Sequence, residues 1–179
     1  MPRSTSSFLF PDINLWLALS YQRHIHYSSA RACFERLEDN SGVCFCRFTQ
    51  LGLLRPLPTG AVMGEDKVLS QTEAWSVYDR RIQDDRVLYV EESSALEARF
   101  RALTQNERPA PKDWANSYLY AFAETADLRL VTFDQALRQK GTNVLLLQIG
   151  GQAPWPSTRP APVGTTVSQM VQISFQRSS

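Results

Sequence analysis

The sequence predicts an α/β fold, a central parallel sheet flanked by helices on both faces. Three observations predict it. Short apolar runs recur along the chain, at Phe8-Leu9-Phe10, Val43 to Cys46, Val87 to Val90, Leu128 to Phe133 and Val144 to Ile149. Helical periodicity fills the stretches between them. The runs are mostly apolar rather than alternating, as befits strands buried on both sides. A chain of 179 residues, 43% hydrophobic and 21% charged, suits one globular domain. At that size roughly 70% of the unfolded surface is buried, so disulfides are not needed.

The elements follow in order. After the first run, Asp12 opens a helix to about Ser20. Ala30, Cys33, Phe34 and Leu37 recur at i, i+3, i+4 and i+7, one helical face. A strand over Val43 to Cys46 leads to a short helix from Thr49 to Arg55, stopped by Pro56. Trp75, Tyr78 and Ile82 mark the next helix, and Leu96, Phe100 and Leu103 another. Ala115, Tyr118, Leu119, Phe122 and Ala126 give a strongly amphipathic helix beyond the Pro109-Ala110-Pro111 breaker. The strand Leu128 to Phe133, a short helix from Asp134 to Lys140 and a final strand complete residues 7–150. Residues 151–179 are rich in Pro, Ser, Thr and Gln and hold no acid, which predicts an irregular tail. Within it, Val167 to Phe175 alternates weakly, as a marginal edge strand would.

Charge and cysteine content exclude several classes. A net charge of +1 rules out a global cationic field for nucleic acid, leaving local patches. Cys33, Cys44 and Cys46 are too few for a disulfide framework and are expected as reduced thiols. A zinc site would need His24 and His26 to join them, which the spacing does not favour. Pro11, Asp12 and Asn14 interrupt the apolar start, so it does not read as a signal peptide, and no run spans a bilayer. A soluble, cytoplasmic protein is expected.

Three aspartates carry the functional argument. Asp12 and Asp134 each follow an apolar strand and precede a helix, and Asp113 opens the amphipathic helix. Each is also a good N-cap. In an open α/β sheet, however, the crevice outside the carboxyl ends of the strands is where ligands bind. Carboxylates gathered there repel, and one is forced neutral unless a cation sits among them. Hard oxygen donors with retained waters suit Mg²⁺, or Mn²⁺. Such a centre suits metal-assisted hydrolysis of phosphodiesters.

The wording around these residues resembles PIN-domain ribonucleases. Phe10-Pro11-Asp12-Ile13-Asn14-Leu15-Trp16 resembles their opening strand and helix. Cys46-Arg47-Phe48-Thr49-Gln50-Leu51-Gly52 resembles their third-helix motif. Asp113-Trp114-Ala115 through Ala123 resembles the helix that carries a further acid, and Leu130-Val131-Thr132-Phe133-Asp134 the fourth-strand motif. Val62-Met63-Gly64 and Asp85-Arg86-Val87 are similar to the VapC-type toxins within that family. The resemblance runs over about residues 8 to 149.

It implies a PIN-like three-layer sandwich and a Mg²⁺- or Mn²⁺-dependent endoribonuclease, the toxin of a type II toxin–antitoxin pair. Asp12, Asp113 and Asp134 are implied as metal-holding catalytic acids, with Asn14 and Thr132 supporting them through hydrogen bonds. Gln50 is a departure, since most relatives have glutamate there; an amide oxygen ligates without adding negative charge. The implied partners are an RNA substrate (transfer or ribosomal RNA), a cognate antitoxin and a second copy of the chain. Arg47, Arg55 and Lys112, with Arg23 and His24 beside them, are the candidate phosphate contacts, and Trp16 and Trp114 are expected in the core. The alternative on the same fold is a catalytically weak RNA-binding module held by an antitoxin. An aspartyl-nucleophile phosphatase would want a second acid two residues after Asp12, where Asn14 stands.

Overall fold

A computed structural model describes residues 8–38, 40–59, 68–107 and 109–148. The tail from residue 151 and the Val62-Met63-Gly64 segment lie outside the described residues.

The chain runs β1 (Phe8–Pro11), α1 (Ile13–Ser20), α2 (Tyr27–Glu35), β2 (Gly42–Phe45), α3 (Arg47–Leu54), α4 (Gln71–Ile82) and β3 (Val87–Tyr89). It continues through α5 (Leu96–Thr104), α6 (Asp113–Thr125), β4 (Arg129–Thr132), α7 (Gln135–Arg138) and β5 (Val144–Leu146). All neighbouring strands pair in parallel, in the order β3-β2-β1-β4-β5. The sheet therefore grows outward on one side through β2 and β3, then on the other through β4 and β5. The point of reversal lies between β1 and β4, where Pro11 is opposite Val131.

Period-two alternation divides the strand residues between two cores. Leu9, Val43, Phe45, Val131 and Leu145 face one side and pack with α1 to α4. Phe10, Cys44, Cys46, Leu130 and Val144 face the other and pack with α5 to α7. Trp16 stacks on Phe45 with ring centroids 3.6 Å apart, and Phe10 meets Phe122 at 4.8 Å. Burying such rings contributes on the order of 2–3 kcal/mol each. This is the three-layer sandwich the sequence implies.

Two packing details set the helices around the crevice. A Cβ at Gly52 would lie 2.4 Å from the Ile13 side chain, so glycine lets α3 approach α1 closely. Thr49 folds back on the start of α3, where its Oγ1 accepts from the Cys46 amide at 3.0 Å. That bond begins the helix at Arg47 rather than at the expected Thr49. The three cysteines are buried free thiols, and burial pushes Cys33 up to about 11 and Cys44 up to about 12. They are inert packing groups.

Candidate active site

The carboxyl ends of β1 and β4 bring Asp12 and Asp134 to the reversal point of the sheet. Asp12 caps α1, with Oδ1 accepting from the Leu15 amide at 2.7 Å. Asp134 caps α7, with Oδ1 accepting from the Ala136 amide at 2.8 Å. Capping thus fixes both carboxylates without exhausting them.

Thr132 joins the two. Its hydroxyl donates to Asp12 Oδ2 and accepts from the Asp134 amide at 2.8 Å. The one hydroxyl hydrogen goes to Asp12, so the bridge has a fixed polarity. Thr132 is fully buried and Asp12 only 3% exposed. Burial first, and the nearby Asp134 charge as well, push the Asp12 carboxyl up to about 6, although the Thr132 and Leu15 bonds pull the other way.

Asp113 is placed differently. It lies in the first turn of α6, where Lys140 Nζ donates to Oδ1 and Ser117 Oγ to Oδ2 at 3.1 Å. Lys140 also donates to Ser117 at 2.9 Å. The ammonium holds the Asp113 carboxyl below the usual range. The α6 side chain that reaches the acid pair is instead Asn116, whose Nδ2 donates to Asp134 Oδ2 at 3.3 Å. Asp12, Asp113 and Asp134 are expected around one ion; among the described residues no three His, Cys, Asp or Glu gather closely in the metal-free chain, in which Asp113 pairs with Lys140. Lys140, 27 residues further along the sequence, is the partner that holds Asp113 here. No local pattern in the sequence marks Asn116, which meets Asp134 from a distant segment.

The remaining candidates take up separate places. Gln50 is buried, accepts from Arg47 Nη1 through its Oε1 and is hydrogen-bonded to the Tyr78 hydroxyl. Arg47 also lies over the Tyr89 ring, 5.3 Å from its centroid. Arg55 stands at the far end of α3, about 12 Å along the helix axis from Arg47. Lys112 is exposed beside Asp113 at the start of α6. The Asn14 backbone amide hydrogen-bonds Asp12, while its side chain lines an open cavity shared with Asp134. Trp16 is in the core as expected, but Trp114 is 56% exposed. Trp114 meets Phe100 of α5 edge-on, with ring centroids 5.9 Å apart, and leaves its other surface to solvent.

The donor set fits a hard divalent cation. Asp12 is a buried carboxylate beside a second one, answered by a hydroxyl and amides but, among the described residues, by no cationic side chain. Mg²⁺ is commonly held through one or two carboxylates and keeps several waters. Asp12 and Asp134 are the residues that would hold it.

No protein-family model matches the chain. It is 40% identical over 136 residues to Ribonuclease VapC41 of Mycobacterium tuberculosis, strains CDC 1551 and H37Rv alike. That match covers 74% of this chain and 93% of the relative. Among solved structures, VapBC2 from Rickettsia felis bound to a promoter DNA fragment aligns with a TM-score of 0.57 at 12% identity. It covers 79% of this chain and 99% of that one. VapC20 of Mycobacterium tuberculosis, a Sarcin-Ricin loop cleaving toxin, aligns with a TM-score of 0.54 at 13% identity, over 74% and 95% of the two chains. These two likenesses establish the fold, while the 40% identity over most of both sequences establishes kinship. The chain belongs to the VapC ribonuclease family.

Proposed function

We propose that Asp12 and Asp134 form the hydrolytic centre of a metal-dependent endoribonuclease, the toxin of a toxin–antitoxin pair. The observation that carries this reading is the Thr132-bridged carboxylate pair at the reversal point of the sheet. When bound there, Mg²⁺ or Mn²⁺ offsets phosphate charge and lowers the pKa of an attacking water. The chain's own residues do the positioning. Thr132 fixes the rotamers of the pair, and Asn116 holds the outer oxygen of Asp134. Lys140 neutralises Asp113, so that two carboxylates rather than three carry the negative charge facing the phosphate. Lys112 and Arg47 are the phosphate contacts nearest the carboxyl edge, whereas Arg55 meets only RNA extending past α3.

The substrate is a structured RNA, transfer or ribosomal. The activity of VapC20 on the Sarcin-Ricin loop supports this class. A cognate antitoxin and a second copy of the chain are the partners. The VapBC2 assembly supports the first, and the exposure of Leu51, Val68 and Trp75 around α3 and α4 supports the second. The RNA is cut in the cytoplasm in this reading; among the described residues no helix is long and apolar enough to cross a membrane.

Purified protein with Mg²⁺ is expected to cut RNA, to stop on chelation and to resume when Mg²⁺ is restored. Asp134→Asn is expected to reduce the rate about 100-fold or more, and Asp113→Asn less than about tenfold. Equal rates for wild type and Asp134→Asn would discard the centre. The two-carboxylate set, with Gln50 committed to Arg47 and Tyr78, also favours a second reading, a weakly catalytic RNA-binding module. RNA binding without Mg²⁺ or Mn²⁺ uptake at millimolar concentration would select it.

A further inference from the structure

Beside the acid pair lies an open cavity of about 320 Å³, lined by Asn14, His24, Ile25, His26, Phe133 and Asp134. The size is at the low end for small-ligand pockets and on the scale of one nucleoside. The wall is aromatic: the His26 ring stacks on Phe133 with centroids 4.2 Å apart and planes 18° from parallel, and His24 tilts against His26 at 5.4 Å. Ile25, at the tip of the loop joining α1 and α2, is 75% exposed, the most exposed large apolar side chain among the described residues.

The polar groups are set for a planar, hydrogen-bonding ligand. The His26 amide donates to His24 Nδ1 at 3.1 Å, which makes Nε2 the N–H of a neutral His24 ring. His26 Nδ1 is buried with no hydrogen-bond partner among the described residues. The Asn14 amide adds a donor and an acceptor at the rim. Packing of the domain accounts for none of these features together, since an exposed isoleucine and an unpartnered ring nitrogen both disfavour a closed loop. Sequence-specific RNA binding takes unstacked bases onto aromatic and histidine faces and reads their edges by hydrogen bonds.

We propose that this cavity is a base-binding subsite, which takes one unpaired nucleobase of the RNA next to the scissile phosphate. Asp134 belongs to both the cavity and the acid pair, so a base seated on His26 and Phe133 delivers its own adjoining phosphate to the carboxylates. The subsite rests on the reading of Asp12 and Asp134 as the hydrolytic centre. It selects a strand with an extruded base over a continuous duplex, because a stacked base cannot enter.

The test uses the full chain in metal-free buffer with a short single-stranded RNA of mixed sequence carrying a photoreactive thiouridine. Crosslinks are expected on His24, Ile25, His26 or Phe133. An abasic nucleotide at the crosslinked position and the exposed-loop variant Ile25→Ser are each expected to weaken binding about tenfold. Combined, they are expected to weaken it little further, because both remove one contact. Crosslinks confined to other surfaces such as Trp114, or fully additive losses, would overturn the subsite. An Mg²⁺ cleavage assay of Asp134→Asn separates the two readings. Lost cleavage with crosslinks elsewhere leaves the acid pair standing and removes the subsite. Retained cleavage removes the acid pair, and the proposed delivery of the phosphate falls with it.

Discussion

Thr132 is the smallest group on which the site depends. Its methyl is buried in the sheet while its hydroxyl serves two backbone-anchored acids, so valine keeps the shape and deletes the bridge. Thr132→Val is expected to cost about 1–3 kcal/mol, since it strands a buried carboxylate oxygen and an amide. Thr132→Ser is expected to recover most of that, and urea unfolding of the three proteins checks the order. Asp12 supplies the pH dependence. Its folded value of about 6 lies above its ordinary 3.8, so the native state binds the proton more tightly than the unfolded chain does. The Asp12 contribution to metal-free stability is therefore greatest below the unfolded value and is lost as pH rises from about 4 to about 6, on the order of 3 kcal/mol. Asp12→Asn is expected to flatten that slope in thermal melts, and saturating Mg²⁺ to oppose it by binding the ionised form. Asn116→Asp places a third carboxylate against Asp134. It is expected to tighten Mn²⁺ binding and to lower metal-free stability, both readable by calorimetry.

At the scale of the element, α1, α3, α4 and α7 owe their starts to side chains that fold back on the backbone. Ser70 and Glu73 cap α4 reciprocally, with the Ser70 amide donating to Glu73 Oε2 at 2.7 Å and the Glu73 amide to Ser70 Oγ at 3.2 Å. Ser70→Ala is expected to cost about 1 kcal/mol in a denaturant melt. Because α4 presents Tyr78 to Gln50, the same change loosens the wall behind α3. Gly52→Ala tests the α1–α3 contact. It drives a methyl into Ile13 beside the Asp12 cap and is expected to lower stability by about 1–3 kcal/mol. Trp75 shows why helix faces were only partly readable: it shares helical spacing with Tyr78 and Ile82, yet is 46% exposed while Tyr78 is buried. Spacing gives the face of a helix, but the width of the buried stripe is set by the neighbours.

For the whole molecule, legibility followed the range of the interaction. Strands were visible because a sheet covered on both faces requires apolar runs; the last described strand ends at Leu146, and Ile149 of the expected strand lies outside the described residues. Asp12 and Asp134 were visible because strand end and helix start are adjacent in sequence. The Lys140 pairing with Asp113, the turn of Gln50 toward Tyr78 and the docking of Asn116 on Asp134 are contacts between distant segments. No local pattern encodes them. The central claim is that two carboxylates brought together by the β1–β4 reversal share one divalent ion. Anomalous diffraction from crystals soaked in Mn²⁺ measures it most directly. The account predicts a single peak between the Asp12 and Asp134 side chains; a peak at Asp113 and Ser117 with none at that pair would contradict it.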